Sequence, residues 1–408
     1  MKKIIPIFAF FFLLTGLRTV ANAQTDSTFK PHWSFNGQFF ADYYNMLSAD
    51  TASSKYSGPK GKFYYEPNSN TPNGATDNQK FYQAFDMRRV QFGANYYFSP
   101  NITAKVLLEH ESAYTNGDVE LDQKSSVYVK EASLAFSNWI PMGNVIFGQQ
   151  AMNVFSVDEG LWGYRGVEKS ILDLRGSTET GSNDLGIQAV GNFDDGKNFG
   201  YALAIVNSDN SSKIEDFKDK VIAFDLNAKL MDKHIVIDVS GDDGGLPTAS
   251  SITDVSFPNN NTPDTTKATN VSESNSLWKV AAAYTSSPFT VGVVYANHTL
   301  GGQSKSVAGN DAVQTDLSIF AHATIVDKEL RAFARYDMFD PDSKANDNSS
   351  GRKESLIIAG LDWLPGGADA PNIHVDPNVE IDSFKDKGPQ GLDFASITVL
   401  RLTFWAKF

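Results

Sequence analysis

Residues 396–408 read SITVLRLTFWAKF, an alternation of apolar and polar positions that runs to the last residue of the chain. Successive side chains of an extended strand point to opposite faces. Leu400, Leu402, Phe404, Ala406 and Phe408 therefore share one face, and Arg401, Thr403, Trp405 and Lys407 the other. One face suits hydrocarbon and the other suits water, as in the strand that closes a transmembrane β-barrel. A half-exposed soluble strand alternates in the same way, so the decision rests on the rest of the chain.

The opposite end points the same way. Lys2 and Lys3 precede an apolar run from Ile4 to Leu14, and Ala21-Asn22-Ala23 before Gln24 has the small-x-small form of a signal-peptide cleavage site. Residues 1–23 are expected to be a secretory signal peptide, and 24–408 a single domain. The apolar run is too short to cross the roughly 30 Å of membrane hydrocarbon, and no Cys stands at the cleavage site to carry lipid.

Composition excludes several classes. Without Lys2, Lys3 and Arg18 the chain carries 32 Lys and Arg against 48 Asp and Glu, a formal charge of −16, which speaks against nucleic acid as a partner. The absence of Cys rules out disulfide frameworks, thiol catalysis and thiolate zinc sites. After the signal no apolar stretch approaches eighteen residues, so spanning helices are excluded.

Period-two segments fall at 33–46, 82–98, 102–114, 127–138, 144–155, 184–193, 199–208, 221–231, 235–241, 277–286, 289–300, 315–326, 330–339, 355–364, 373–384 and 394–408. Their number, sixteen, is even. The connections alternate between short turns and long loops, the long ones at 47–81, 115–126, 156–183, 209–220, 242–276, 301–314, 340–354 and 385–393. A soluble sandwich has no reason for that alternation. The expected fold is all-β, a transmembrane antiparallel up-and-down β-barrel of about 16 strands with long extracellular loops and short periplasmic turns.

Phase within the strands separates two faces. Val90, Phe92, Ala94, Tyr96 and Phe98 oppose Arg89, Gln91, Gly93 and Asn95; Ile222, Phe224 and Leu226 oppose Asp225 and Asn227. A charge at the lipid midplane costs about 2–4 kcal/mol, so the charged face belongs to a wet lumen. Tyr43, Tyr44, Tyr96, Tyr97, Phe98, Trp139, Trp363, Trp405 and Phe408 lie near strand ends, where interfacial girdles are expected.

Several stretches carry a family resemblance. Phe85 to Glu109 (FDMRRVQFGANYYFSPNITAKVLLE), with its double Arg opening a strand, resembles an early hairpin of the phosphate-selective porin O and P family of Gram-negative outer membranes. KEASLAF (130–136), NVIFGQQ (144–150), NDLGIQAVGNF (183–193), FGYALAIVNS (199–208), LRAFARYDMFDPD (330–342) and IIAGLDWLP (357–365) resemble successive segments of the same family. The resemblance implies a sixteen-stranded, often trimeric, diffusion channel in the outer membrane, for ions and small hydrophilic solutes and possible anionic cargo such as phosphate. It departs at Asn183-Asp184, where family members often carry Arg-Asp, and this puts phosphate specificity in doubt. The chain end, with Phe408 last and Phe404 before it, also resembles the signal read by outer-membrane assembly machinery. Lipids and lipopolysaccharide are the partners that such a setting implies.

Residues 156–183 are the expected constriction loop, with Arg165, Lys169 and Arg175 beside Asp158, Glu159, Glu168 and Asp173; the alternative is a solvated loop with locally paired charges. Lumenal candidates opposite it are Arg89, Lys105, Glu109, Arg335, Asp337 and Arg401, each of which also suits an ion-pair ladder in the wall. Catalysis is not expected. The six His residues show neither His-x-x-x-His nor Glu-x-x-His spacing, no metal or cofactor is expected, and a hydrolase at one rim would need a Ser or Asp with a His, for which His110 or His298 could serve. SGDDGG (240–245) reads as a turn, and no helix is expected after the signal. Two functions stay open: a passive porin, or a plugged barrel serving as an adhesin or scaffold through its polar loops at 48–80 and 242–276. A transporter with a separate plug domain ranks third, since no plug fits before the first strand.

Overall fold

Sixteen antiparallel strands close on themselves in chain order. They are β1 (His32–Ser48), β2 (Gln83–Ser99), β3 (Ile102–Glu111), β4 (Val127–Ile140), β5 (Gly143–Ala151), β6 (Asn183–Asn192), β7 (Phe199–Asn207), β8 (Lys220–Leu230), β9 (Ile235–Gly244), β10 (Asn275–Ser286), β11 (Phe289–Leu300), β12 (Ala312–Val326), β13 (Leu330–Asp340), β14 (Glu354–Trp363), β15 (Ile373–Phe384) and β16 (Ile397–Lys407). The computed structural model describes residues 29–48, 83–111, 127–208, 220–244, 275–301, 311–344, 353–384 and 396–408. The segment 1–23, expected from the sequence to be a signal peptide, and most of the long loops, including those around 48–80 and 242–276, lie outside the described residues.

Closure leaves no unpaired sheet edge, which is what lets strands cross hydrocarbon. The seam runs from Gln38 opposite Lys407 to Ser48 opposite Thr398. Below it, Gly37 and Phe408 exchange backbone hydrogen bonds of 2.8 and 2.9 Å, so the terminal Phe completes the ladder. Both termini of the described barrel lie at the end of the short turns.

The two faces follow the sequence phase. On β8, Val221, Ala223 and Asp225 are buried while Ile222, Phe224 and Leu226 are exposed; on β16, Arg401 and Thr403 are buried while Leu400 is exposed. The exposed apolar side chains form the outward band that lipid would cover. Phe98, Trp139, Trp363 and Phe408 join that band as the girdle reading expects.

Four expectations are corrected. Tyr44 and Trp405 are buried, packed into the wall's interior rather than at the membrane interface. Ser240–Gly244 does not turn: it continues β9, pairing with Asn275–Lys279 of β10. Gly241 allows this, because a Cβ there would collide with the Leu277 carbonyl and crowd Phe224. β5 ends at Ala151 rather than 155, where the chain leaves the wall. Beyond it stand a 3-10 turn (Asn153–Phe155) and two helices, α1 (Ser156–Trp162) and α2 (Ile171–Arg175), where no helix was expected.

Candidate functional site

The segment between β5 and β6 is the one long connection that lies wholly among the described residues, and it folds inward. Glycines end both of its helices: Gly163 (φ 74°) after α1 and Gly176 (φ 65°) after α2 take the left-handed conformation that closes a helix at low cost. The turns present Val154, Phe155, Trp162, Val167, Ile171, Leu172 and Leu174 to a buried cluster. The wall contributes Val221 and Ala223 of β8, Leu277 and Ala281 of β10, Val294 and Ala296 of β11, Phe320, Phe333, Leu356 and Ile358. Trp162 meets Phe320 and Phe333 edge-on, at centroid distances of 6.1 and 6.0 Å. Removing each such side chain from water contributes about 1.5–3 kcal/mol, so docking is driven largely by apolar burial.

Charge fixes where the segment sits. Near its start, the Lys279 ammonium lies 2.7 Å from Asp158 Oδ1 and 3.1 Å from Asp238 Oδ2, and also donates to the Val154 carbonyl. Near its end, Arg175 pairs with Glu354, His298 Nε2 lies 2.7 Å from Glu179 Oε1, and the Glu179 N–H donates to Asp242 Oδ2 at 3.1 Å. The middle is held by three wall arginines that reach backbone carbonyls. Arg88 donates to Gly166 O and Val167 O, Arg401 to Val167 O at 2.9 Å, and Arg335 to Lys169 O at 2.8 Å. These arginines come from β2, β16 and β13, so the middle of the segment is tied to one arc of the wall that runs from β13 through β1 to β2. Arg335 also lies over the Trp162 ring, 4.9 Å from its centroid.

The residues singled out in the sequence fall into two groups. Arg89, Glu109, Lys169 and Arg165 belong to one network: Arg89 pairs with Glu111 at 2.9 Å, Lys130 with Glu109 at 2.8 Å, Lys169 with Glu111 at 3.1 Å, and Arg165 with Glu159 at 2.9 Å and Asp173 at 2.8 Å. Arg335, Asp337 and Arg401 belong to the clamp; Arg335 pairs with Asp337 at 2.8 Å and Arg401 with Glu380 at 2.9 Å. Lys105 stands apart, paired with Glu131 at 2.8 Å. Arg175 is turned into the seam between segment and wall. Phe404 is half-buried on the outer face, and Phe408 is exposed.

Sequence reasoning missed Arg88 and Lys279. It also missed a polar column on β15, where His374, Asp376, Asn378, Glu380 and Asp382 are all buried on the lumenal face. Its signal was present in HVDPNVEID (374–382), polar at every second position. Among the described buried residues there are eighteen Asp and Glu against five Lys and Arg.

Protonation of the inward segment reflects these partners. Burial works against the charge of Glu168, but Arg401 and Arg88 outweigh it and hold the carboxyl below its ordinary value. Burial likewise opposes Asp173, which Lys169 and Arg165 hold low. At Asp158 burial wins: it pushes the carboxyl up to about 6, against the pull of Lys279.

No protein-family model matches the sequence, and comparison with curated proteins finds no match. Solved structures do match. The anion-selective porin from Comamonas acidovorans superposes with a TM-score of 0.61 at 9% identity, over 93% of this chain and 100% of that one. The outer membrane channel DcaP of Acinetobacter baumannii gives 0.59 at 12% identity, over 93% and 97%. The outer-membrane expressed OmpT of Vibrio cholerae gives 0.55 at 12%, over 93% and 98%. At these identities the likeness is one of architecture, and the architecture is that of the outer-membrane porin barrel.

Proposed function

We propose that the protein is a diffusion channel of a Gram-negative outer membrane, a water-filled pore narrowed by residues 152–182 that passes small hydrophilic solutes and prefers cations to anions. The preference rests on one observation: buried carboxylates outnumber buried Lys and Arg by eighteen to five among the described residues. Charged walls in a confined pore select by the sign of their local field. Arg88, Arg335 and Arg401, the lumenal arginines that would best suit an anion filter, are engaged with carbonyls of the inward segment and with Asp42, Asp337 and Glu380. The reading therefore keeps the pore of the phosphate-selective porin family and replaces its anion preference. Cleavage of residues 1–23 and use of Phe404 and Phe408 by the assembly machinery belong to the same proposal.

Proteoliposome swelling tests it. Swelling in isotonic solutions of cationic, neutral and anionic solutes of similar size is expected to be fastest for the cation and slowest for the anion. The reverse order would overturn the preference. Swelling no faster than in protein-free liposomes would favour a second reading, an occluded barrel that acts through its surface loops. The apolar docking of the inward segment is the observation on that side.

A further inference from the structure

We propose that Asp362, His374 and Asp376 form a binding site for a divalent transition-metal cation on the lumenal wall, at the short-turn end of the barrel. Asp362 is the penultimate residue of β14, and His374 and Asp376 are lumenal residues at the start of β15. The register pairs Trp363 with Val375 and Gly360 with Asn378, which sets Asp362 directly across from Asp376. Like charges in that position repel. Here both aspartates are fully buried, at 0% exposure, which sharpens the repulsion.

One candidate ligand atom from each of the three residues lies within 4.8 Å of the other two. Ligands held about 2.0–2.2 Å from a shared cation stand roughly 3–3.5 Å apart, so a small adjustment closes the set. A second observation points to a missing ligand. Asp376 Oδ1 and Asp362 Oδ2 are buried and receive no hydrogen bond among the described residues. Arg331 approaches Asp362 Oδ2 only to 3.6 Å, beyond hydrogen-bond range.

The surroundings hold the ligands in place. The His374 ring stacks on Trp405 at 3.5 Å and 7°, and Trp405 Nε1 donates to the other oxygen of Asp376 at 2.6 Å. Trp405 is itself pinned by Gly166 of the inward segment, where a Cβ would lie 2.6 Å from the indole. His374 Nδ1 lies 2.8 Å from Asp362 Oδ1, a spacing that suits adjacent ligands as well as a hydrogen bond. Supporting contacts of this kind orient metal ligands. One imidazole and two carboxylates suit zinc, cobalt, manganese or ferrous ions better than calcium or magnesium, and leave positions for water. A bound cation would join β14 to β15 beneath the segment and cancel two negative charges of the wall. Only that last effect rests on the channel reading; binding does not.

The test is a titration of the refolded full-length mature chain in detergent, stripped with EDTA, with Co2+ followed by its visible d–d absorption and then displaced by Zn2+. One saturable Co2+ per chain is expected. His374→Gln and Asp376→Asn should each weaken binding at least tenfold, while Asp382→Asn, farther along the same column, should bind as the wild type does. Each variant is first checked for the wild-type resistance to unfolding by SDS, and Asp376→Asn relieves a repulsion, so it is expected to fold. The proposal is overturned if the folded wild type binds neither ion saturably, if the two ligand variants bind like the wild type, or if Asp382→Asn loses binding equally. The first outcome would leave His374 hydrogen-bonded to Asp362 with no metal between them; the last would mean diffuse attraction by an acidic wall. None of these outcomes bears on conduction.

Discussion

Lys279 is a fully buried cation held between two carboxylates, one on the wall and one on the inward segment. Breaking such a pair by removing one partner costs about 3–5 kcal/mol, because the partners stay buried with uncompensated charge. Lys279→Met leaves Asp158 and Asp238 facing each other. The variant is expected to keep its barrel but loosen the segment, so limited proteolysis of the refolded protein should cut within residues 153–175, where the wild type resists. Arg165→Gln offers the contrast. Its pairs with Glu159 and Asp173 are partly solvated, and exposed pairs contribute about 0–1 kcal/mol. Equal resistance of wild type and Lys279→Met would remove the docking role assigned to this lysine. Arg88 and Lys279 were not visible as partners of the inward segment in the sequence, since each is one charge on an alternating strand and its partner on that segment lies 78 or more residues away.

At the scale of elements, the strands were legible and the inward segment only partly so. A strand announces itself by alternation across ten or more residues, and all sixteen were placed within a few residues of their observed bounds. α1 and α2 have seven and five residues, too few for a helical period to show, and both are stabilised by the wall they dock on. Acid pairs such as Asp362 and Asp376 depend on register, which alternation alone does not give. Segment docking has a definite pH dependence. Asp158, raised by burial to about 6 from an ordinary 3.8, favours the docked state at low pH; that contribution is lost as pH rises through this window and is flat above it. Glu168 and Asp173 are held low and act oppositely: their contribution is full above the ordinary values of 4.5 and 3.8 and is lost as pH falls below them. Hydrogen exchange of amides 156–175, corrected for intrinsic rates, should show no loss of protection from about pH 7 to 5 and a loss below about 4.5. A loss already between 7 and 5 would contradict these assignments.

For the whole molecule, an acidic chain encloses an acidic lumen. The formal charge of −13 over the full sequence is repeated inside the barrel, where the buried wall and segment carry far more carboxylates than cations. Arg335 and Arg401, which looked like selectors in the sequence, hold the inward segment in place. In the proposed channel, the sign of selectivity and the position of the constriction thus come from different residues. The most direct measurement is the zero-current potential of the purified, refolded protein in a planar lipid bilayer under a KCl gradient. Stable conductance steps with the dilute side positive, the sign of potassium moving ahead of chloride, are predicted. The opposite sign, or no conductance from protein shown to be folded, would contradict the account.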